Sequence, residues 1–111
     1  MAKNYKNSTK YKQIRASLIQ QLEENGNATD FYIDLVNDYM ALWCVKMMLI
    51  DDIEERGVSC LYQNGANQFG YKKNDSVAEL NRTNLTMTKL LVQLGIKAKV
   101  ITTTEENDDE L

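Results

Sequence analysis

The fold is set by residues 30–56, which read DFYIDLVNDYMALWCVKMMLIDDIEER. The chain contains no proline, so no residue in this stretch forces a helix to break. Asp30 suits the positive end of a helix, and Gly57, directly after the stretch, is a typical helix stop. The stretch therefore predicts one helix from about Asp30 to Arg56, roughly 40 Å long at about 1.5 Å per residue.

The apolar residues of this helix form two neighbouring stripes, which together cover roughly half of its surface. The first stripe consists of Ile33, Val36, Met40, Trp43, Met47 and Ile50. The second consists of Leu35, Tyr39, Leu42, Leu49 and Ile53, and Lys46 interrupts it. One partner helix usually covers one stripe, so the other needs a further helix from this chain or from a neighbouring subunit. We therefore predict a homo-oligomer whose interface includes Tyr39, Met40, Trp43, Met47, Ile50 and Leu91.

Two shorter helices flank the long one. The first is predicted over about 11–25, because apolar residues recur there at spacings of three and four before Gly26. These residues are Tyr11, Ile14, Leu18 and Leu22. The last helix opens at Ser76, where Ser76-Val77-Ala78-Glu79 is a capping-box pattern, and ends at Leu94 before Gly95. The fold class is therefore all-α, with a long antiparallel hairpin of the second and third helices and the first helix packed at one end.

The connection between the two long helices, residues 58–74, is rich in turn-forming residues. Asn64-Gly65 is a strong signal for a tight β-hairpin. The flanking segments alternate apolar and polar residues, as short strands do. Both a two-stranded ribbon and a plain loop are compatible with this stretch, because a ribbon of this size is marginal alone.

The net charge of −3 hides a strong segregation along the chain. Residues 1–15 carry five basic residues and no acid, whereas residues 105–111 carry five acids and no base. We divide the chain into a basic N-terminal arm (1–10), a helical oligomerisation and DNA-recognition domain (11–98) and an acidic C-terminal tail (99–111). Such segregation indicates separate partners at separate places.

The residues that catalysis usually needs are missing from the sequence. The chain has no histidine and two cysteines, and it has no phosphate-binding glycine loop. The acidic cluster Asp51, Asp52, Glu54 and Glu55 points in several directions around a helix, so we interpret it as a solvated helix end. We predict no enzyme, metal site, cofactor or small-molecule substrate. No apolar run approaches the roughly 18 residues of a membrane span, so we expect a cytoplasmic protein.

Basic residues carry the case for nucleic-acid binding. The N-terminal ones are Lys3, Lys6, Lys10, Lys12 and Arg15, interleaved with Tyr5 and Tyr11. Lysines can bind phosphates, and the tyrosines can stack on bases or contact a groove. The alternative is a basic tail that only increases solubility. A second patch is predicted on the last helix at Arg82 and Lys89, continued by Lys97 and Lys99, and ordinary surface charge is its alternative.

Five short motifs resemble the small terminase subunits of tailed phages and prophages. They occur in the family's order: Asp38-Tyr39-Met40-Ala41-Leu42-Trp43, Glu54-Glu55-Arg56-Gly57, Tyr62-Gln63-Asn64-Gly65-Ala66, Lys72-Lys73-Asn74 and Leu94-Gly95-Ile96. They lie in the stretch from Asp38 to Ala98, which is a little over half of the chain. The family often has proline after the asparagine of the fourth motif, where this chain has Asp75.

The resemblance implies an all-helical subunit that assembles into a ring. Such a subunit would bind double-stranded viral DNA at the start of packaging and regulate the large terminase subunit, which holds the ATPase and the nuclease. One alternative is a dimeric transcriptional regulator with a helix-turn-helix built from the first two helices, although Asp30 and Asp34 would repel phosphate. Another is a structural interaction module with no nucleic-acid role.

Overall fold

The computed structural model describes residues 4–63 and 69–97. A single 3-10 turn, Tyr5–Asn7, precedes three helices, which are α1 (Thr9–Glu24), α2 (Asp30–Arg56) and α3 (Asp75–Leu94). Two strands, β1 (Ser59–Gln63) and β2 (Phe69–Lys73), lie between α2 and α3. Lys3, Lys99, the Asn64-Gly65 turn and the predicted acidic tail lie outside the described residues.

Helix α2 has the bounds that its sequence predicts. It ends where Gly57 adopts φ 78°, a left-handed value that glycine tolerates, and donates its N–H to the carbonyl of Ile53. Val36, Met40 and Trp43 are its buried residues, and all three belong to the first predicted stripe. They form the centre of the core together with residues of α1 and α3.

Helix α1 begins at Thr9, two residues before its predicted start. The Ser8 side chain caps it by accepting a hydrogen bond of 3.1 Å from the backbone N–H of Tyr11. The predicted boundary between an arm and a helical domain at residue 10 therefore falls inside this helix. Leu18 and Leu22 are buried, so the predicted apolar spacing does identify the inner face of α1.

A β-ribbon, rather than a plain loop, connects α2 to α3. Strands β1 and β2 pair antiparallel, with Ser59 opposite Lys73 and Leu61 opposite Tyr71. The chain is thus mostly helical, as the all-α prediction expects, and its connection is the ribbon that the sequence allowed beside a plain loop. The side chains of Leu61 and Tyr71 are 62% and 77% exposed, so no helix covers that face of the ribbon.

The N-cap of α3 is Asn74, two residues before the predicted cap Ser76, and the helix begins at Asp75. The Asn74 side-chain oxygen accepts a 3.0 Å hydrogen bond from the backbone N–H of Ser76, which lies in the first turn of the helix. Asparagine and serine cap helices about equally well, so the capping-box pattern at Ser76 was not decisive. The helix ends at Leu94, before Gly95 with φ 70°.

Asn74 also ties the start of α3 to the end of α2. Its side-chain nitrogen donates to Asp52 and to the Gly57 carbonyl, both at 3.0 Å, and its oxygen accepts from Arg56 at 2.9 Å. Hydrogen bonding by Arg56, and then by Ser76 and Asn74, holds the pKa of Asp52 well below its usual range. Asn74 is 1% exposed, so its buried side-chain amide obtains its hydrogen-bond partners from the protein.

Two residues of the predicted subunit interface lie in the core. Met40 and Trp43 are 0% and 6% exposed, and residues of the same chain cover them. The N-terminal turn and α1 pack on this stripe, and the subunit interface itself stays a prediction. Tyr39, Met47 and Leu91 are half-buried against the same core, and Ile50 is half-buried elsewhere.

We expect Asn74→Ala to lower the free energy of unfolding by about 2–4 kcal/mol, since it removes a helix cap and the three hydrogen bonds that join the buried Asn74 side chain to α2 and Gly57. Urea unfolding followed by circular dichroism measures this difference. Asn81→Ala is the matched control, because Asn81 is an exposed asparagine of the same helix. The control should change stability by less than about 0.5 kcal/mol. Equal midpoints for the two variants would contradict the role given to Asn74.

Candidate nucleic-acid interface

The N-terminal basic residues are distributed around α1 and the turn before it. Lys6 lies in the 3-10 turn, and Lys10, Lys12 and Arg15 lie on α1. Residues 10 and 12 are about 200° apart around a helix axis, so Lys10 and Lys12 stand on different sides of α1. Lys6, Lys10 and Lys12 are exposed. The structure thus brings these cations to one helix without gathering them on one side.

Arg15 lies closest to α2. Its Nε and Nη2 both donate to the side-chain oxygen of Asn37, at 3.2 and 3.1 Å. This pair joins the middle of α1 to the first half of α2. The guanidinium remains partly accessible, and Asn37 is neutral, so the positive charge of Arg15 is not cancelled by this contact.

The two tyrosines of the basic segment have a packing role instead of the predicted base contacts. Tyr5 and Tyr11 both meet Trp43 edge to face, with ring centroids 6.0 and 5.9 Å away. Such aromatic pairs contribute roughly 0.5–1.5 kcal/mol beyond the area that they bury. Tyr5, which belongs to the predicted basic arm, therefore packs against the core.

The Tyr5 hydroxyl donates a hydrogen bond to the carboxylate of Asp51. This bond is the main cause that raises the pKa of Tyr5 to about 12, and burial and the charges of Asp51 and Glu54 add to it. Burial raises the pKa of the Cys44 thiol, and the nearby charge of Lys6 partly offsets this. The turn is therefore held along the second half of α2, so α1 and α2 run antiparallel.

The second predicted patch lies on the outer face of α3. Arg82 and Lys89 are exposed there, at positions seven apart, and Lys97 is exposed just beyond the helix. The guanidinium of Arg82 donates to Glu79 at 2.7 Å, in an exposed pair that adds little stability. Leu85 and Val92 share this face and are 58% and 73% exposed. The patch is therefore both basic and apolar.

Two of the four clustered acids of α2 are engaged, so the predicted solvated helix end holds only in part. Asp51 receives the Tyr5 hydroxyl, and Asp52 receives Arg56 and Asn74. In the described part of the chain, no group of three or more histidine, cysteine or acidic residues is placed to hold a metal ion.

Within residues 4–63 and 69–97, no helix is long and apolar enough to cross a membrane.

One exposed row of α1 was missed from the sequence. Thr9, Gln13, Ala16 and Gln20 recur at spacings of four, three and four, and all are exposed. The signal was present, because this row lies opposite the apolar stripe used to predict the helix. Lys72 and Lys73 of β2 are also exposed, and they belong to neither of the two predicted basic patches.

Comparison with known families agrees with this architecture. The family model described as phage terminase, small subunit, matches residues 12–110. No curated protein and no solved structure gives a significant match. Because the family model covers most of the chain, this protein belongs to the phage terminase small-subunit family, and the resemblance in its motifs is confirmed.

Membership gives the protein a role in phage DNA packaging at the level of the family. Small subunits of terminases are generally non-catalytic, because the ATPase and the nuclease belong to the large subunit. The geometry of the chain must therefore be judged as a set of binding surfaces.

We expect Tyr5→Phe to lower the midpoint of urea unfolding at pH 8, because it removes the hydrogen bond to Asp51. The folded pKa of about 12 exceeds the ordinary tyrosine value of 10.0. The bond therefore contributes fully below about pH 10, and its contribution disappears as the pH rises from about 10 to 12. Fluorescence of Trp43, the single tryptophan, reports unfolding.

The control is Tyr71→Phe, which changes a tyrosine that is 77% exposed on the ribbon. It should match the wild type throughout the same pH series. If Tyr5→Phe matched the wild type at pH 8, the Tyr5–Asp51 bond would have no part in holding the N-terminal turn.

Proposed function

We propose that the chain recognises the viral DNA on which packaging begins and regulates the large motor and nuclease subunit. It acts as a homo-oligomer in the cytoplasm of the host cell, and its partners are double-stranded DNA and the large terminase subunit. The observation that carries this proposal is the family match over residues 12–110. The exposed basic residues on α1 and α3 support it.

DNA contact is assigned first to the N-terminal basic residues. Lys6, Lys10 and Lys12 are exposed, and no acidic residue occurs among residues 1–22. A phosphate backbone near the first turns of α1 is therefore attracted, whereas the exposed Glu23 and Glu24 would repel it at the end of the helix. Arg82 and Lys89 are assigned a second contact on α3, where Glu79 offsets part of the charge.

A transcriptional regulator is the second candidate, and the helix arrangement counts against it. In a helix-turn-helix the two helices cross at about 90–120°. Here α1 runs antiparallel alongside α2, because Tyr5 meets Asp51 and Arg15 meets Asn37. Asp30 and Asp34 are exposed at the start of α2, where a recognition helix would need to approach phosphate.

We expect Lys10→Gln with Lys12→Gln to weaken DNA binding and to reduce its salt dependence. Each lost phosphate contact lowers the slope of log affinity against log salt by about 0.9, so the slope should fall by about 2 for each subunit that touches DNA. Titrations of duplex DNA across a salt series measure it. These substitutions are preferable to deleting residues 1–10, which would also remove Tyr5 and the Ser8 cap.

Lys46→Gln is the control for this measurement, because it removes a positive charge from α2, outside the basic segment. Its slope should equal that of the wild type. If the salt slope of the Lys10 and Lys12 double variant were unchanged, the phosphate contacts would have to be assigned to Arg82 and Lys89 instead. Substitution of these two residues by glutamine would then test that assignment.

Assembly is assigned to the apolar residues that remain exposed on the outer faces of α2 and α3. Val45 and Met48 are 38% and 44% exposed on α2, and Leu85 and Val92 are more exposed on α3. The α2 face also carries Asp34 and Asp38, whereas Leu85 and Val92 lie beside Arg82 and Lys89, which stay assigned to DNA. Two different apolar faces give a head-to-tail contact, and such a contact closes into a ring when its rotation allows.

We expect Val92→Glu to shift the native mass toward a single chain, because it places a carboxylate in this contact. Light scattering coupled to size exclusion measures the mass. Gln93→Glu is the matched control, since it adds the same charge at the next exposed position of α3. A wild-type mass equal to one chain would exclude the homo-oligomer.

Regulation of the large subunit is tested by its ATPase rate. The rate should rise when this chain and duplex DNA are added together, and the Lys10 and Lys12 double variant should reduce that rise. An ATPase rate indifferent to the chain would favour the transcriptional regulator or the structural module.

A further inference from the structure

The outer face of α1 has the composition of a helix that reads DNA sequence. Thr9, Gln13, Ala16 and Gln20 form one exposed row along it, and Lys10 and Lys12 stand on the two borders of that row. Residues that face a groove floor are usually neutral and able to form hydrogen bonds, whereas residues that meet phosphates are basic. On α1, the exposed row carries the neutral residues and its two borders carry the basic ones.

We infer that α1 lies in the major groove of duplex DNA, where Gln13 and Gln20 contact base edges and Lys10 and Lys12 contact phosphates. This inference rests on the proposed function, and it adds the residues that would give sequence preference. The occupant is duplex DNA because Lys10 and Lys12 border the first part of the row, where no acid occurs. The exposed Glu23 and Glu24 lie on the same face beyond Gln20, so they place Gln20 at the edge of the contact.

The dimensions of the helix fit this role. An α-helix fits the major groove, which is about 12 Å wide, and α1 with its 16 residues is roughly 24 Å long. The buried stripe, which includes Leu18 and Leu22, holds the opposite face of α1 against the core. The row is therefore presented outward by a packed helix, and binding does not require α1 to leave the protein.

The residue types indicate which bases are read. A glutamine amide has a donor and an acceptor that match the exposed edge of adenine in the major groove. Gln13 lies in the first half of α1, and Ala16, one turn further, leaves room for a thymine methyl group. The Gln20 side chain also donates a hydrogen bond of 3.3 Å to Glu24, so it already makes a contact within the helix that a base would have to replace. Gln13 is therefore assigned the stronger base contact.

The test separates base reading from phosphate binding. Selection from a random duplex library by the wild-type chain should yield a preferred sequence. Gln13→Ala should lose preference at one or two base pairs, by about 10- to 100-fold in relative affinity, with an unchanged salt slope. Lys10→Gln with Lys12→Gln should keep the preferred sequence and reduce the slope. Gln93→Ala, which changes an exposed glutamine of α3, is the matched control and should change neither.

The outcomes distinguish this inference from the proposed function. If the wild type bound duplex DNA with a salt slope that depends on Lys10 and Lys12 but selected no sequence, base reading by α1 would be overturned and DNA binding would stand. A selected sequence that Gln13→Ala and Gln20→Ala leave intact would also overturn it. A wild type that binds no duplex DNA would overturn both. Circular dichroism spectra that match the wild type show that the variants are folded.

Discussion

Burial of the first apolar stripe of α2 is the interaction on which the rest of the structure depends. Val36 and Met40 are fully buried, and Trp43 is nearly so. Each large apolar side chain contributes on the order of 1.5–3 kcal/mol when it leaves water. Residues of α1, of α3 and of the N-terminal turn surround this stripe, so all of them are positioned by one helix. This packing also orients the candidate DNA surface on α1, because the side of α1 that faces away from α2 is exposed to solvent.

The N-terminal segment shows how packing and binding divide adjacent residues. Tyr5 and Tyr11 turn toward Trp43, whereas Lys6, Lys10 and Lys12 remain exposed. In this segment the aromatic residues therefore face the core, and the basic residues face solvent. A segment anchored in this way presents its charges at lower entropic cost than a free tail, because their positions are partly fixed before a ligand arrives.

Local sequence signals predicted much of the fold because they act over a few residues. The bounds of α2 follow from its uninterrupted periodicity and from Gly57, and Asn64-Gly65 favoured the ribbon that the flanking strands form. Contacts between distant residues were not predictable in the same way. Tyr5 and Asp51 are 46 positions apart, and nothing near either residue indicates the other. The choice of Asn74 over Ser76 as the cap also depends on distant groups, since Asp52 and Arg56 complete its hydrogen bonds.

The same limit explains why periodicity did not assign a partner to each stripe of α2 and why the exposed row of α1 was missed. Periodicity shows that α2 has more apolar surface than one helix covers, but it does not show which partner covers which stripe. In the structure Met40 and Trp43 are covered from within the chain, whereas Val45 and Met48 stay exposed. The apolar stripe that predicted α1 also defines an opposite face, with Gln13 near its centre. A buried stripe thus carries information about function, because it determines which polar residues a helix presents to a partner.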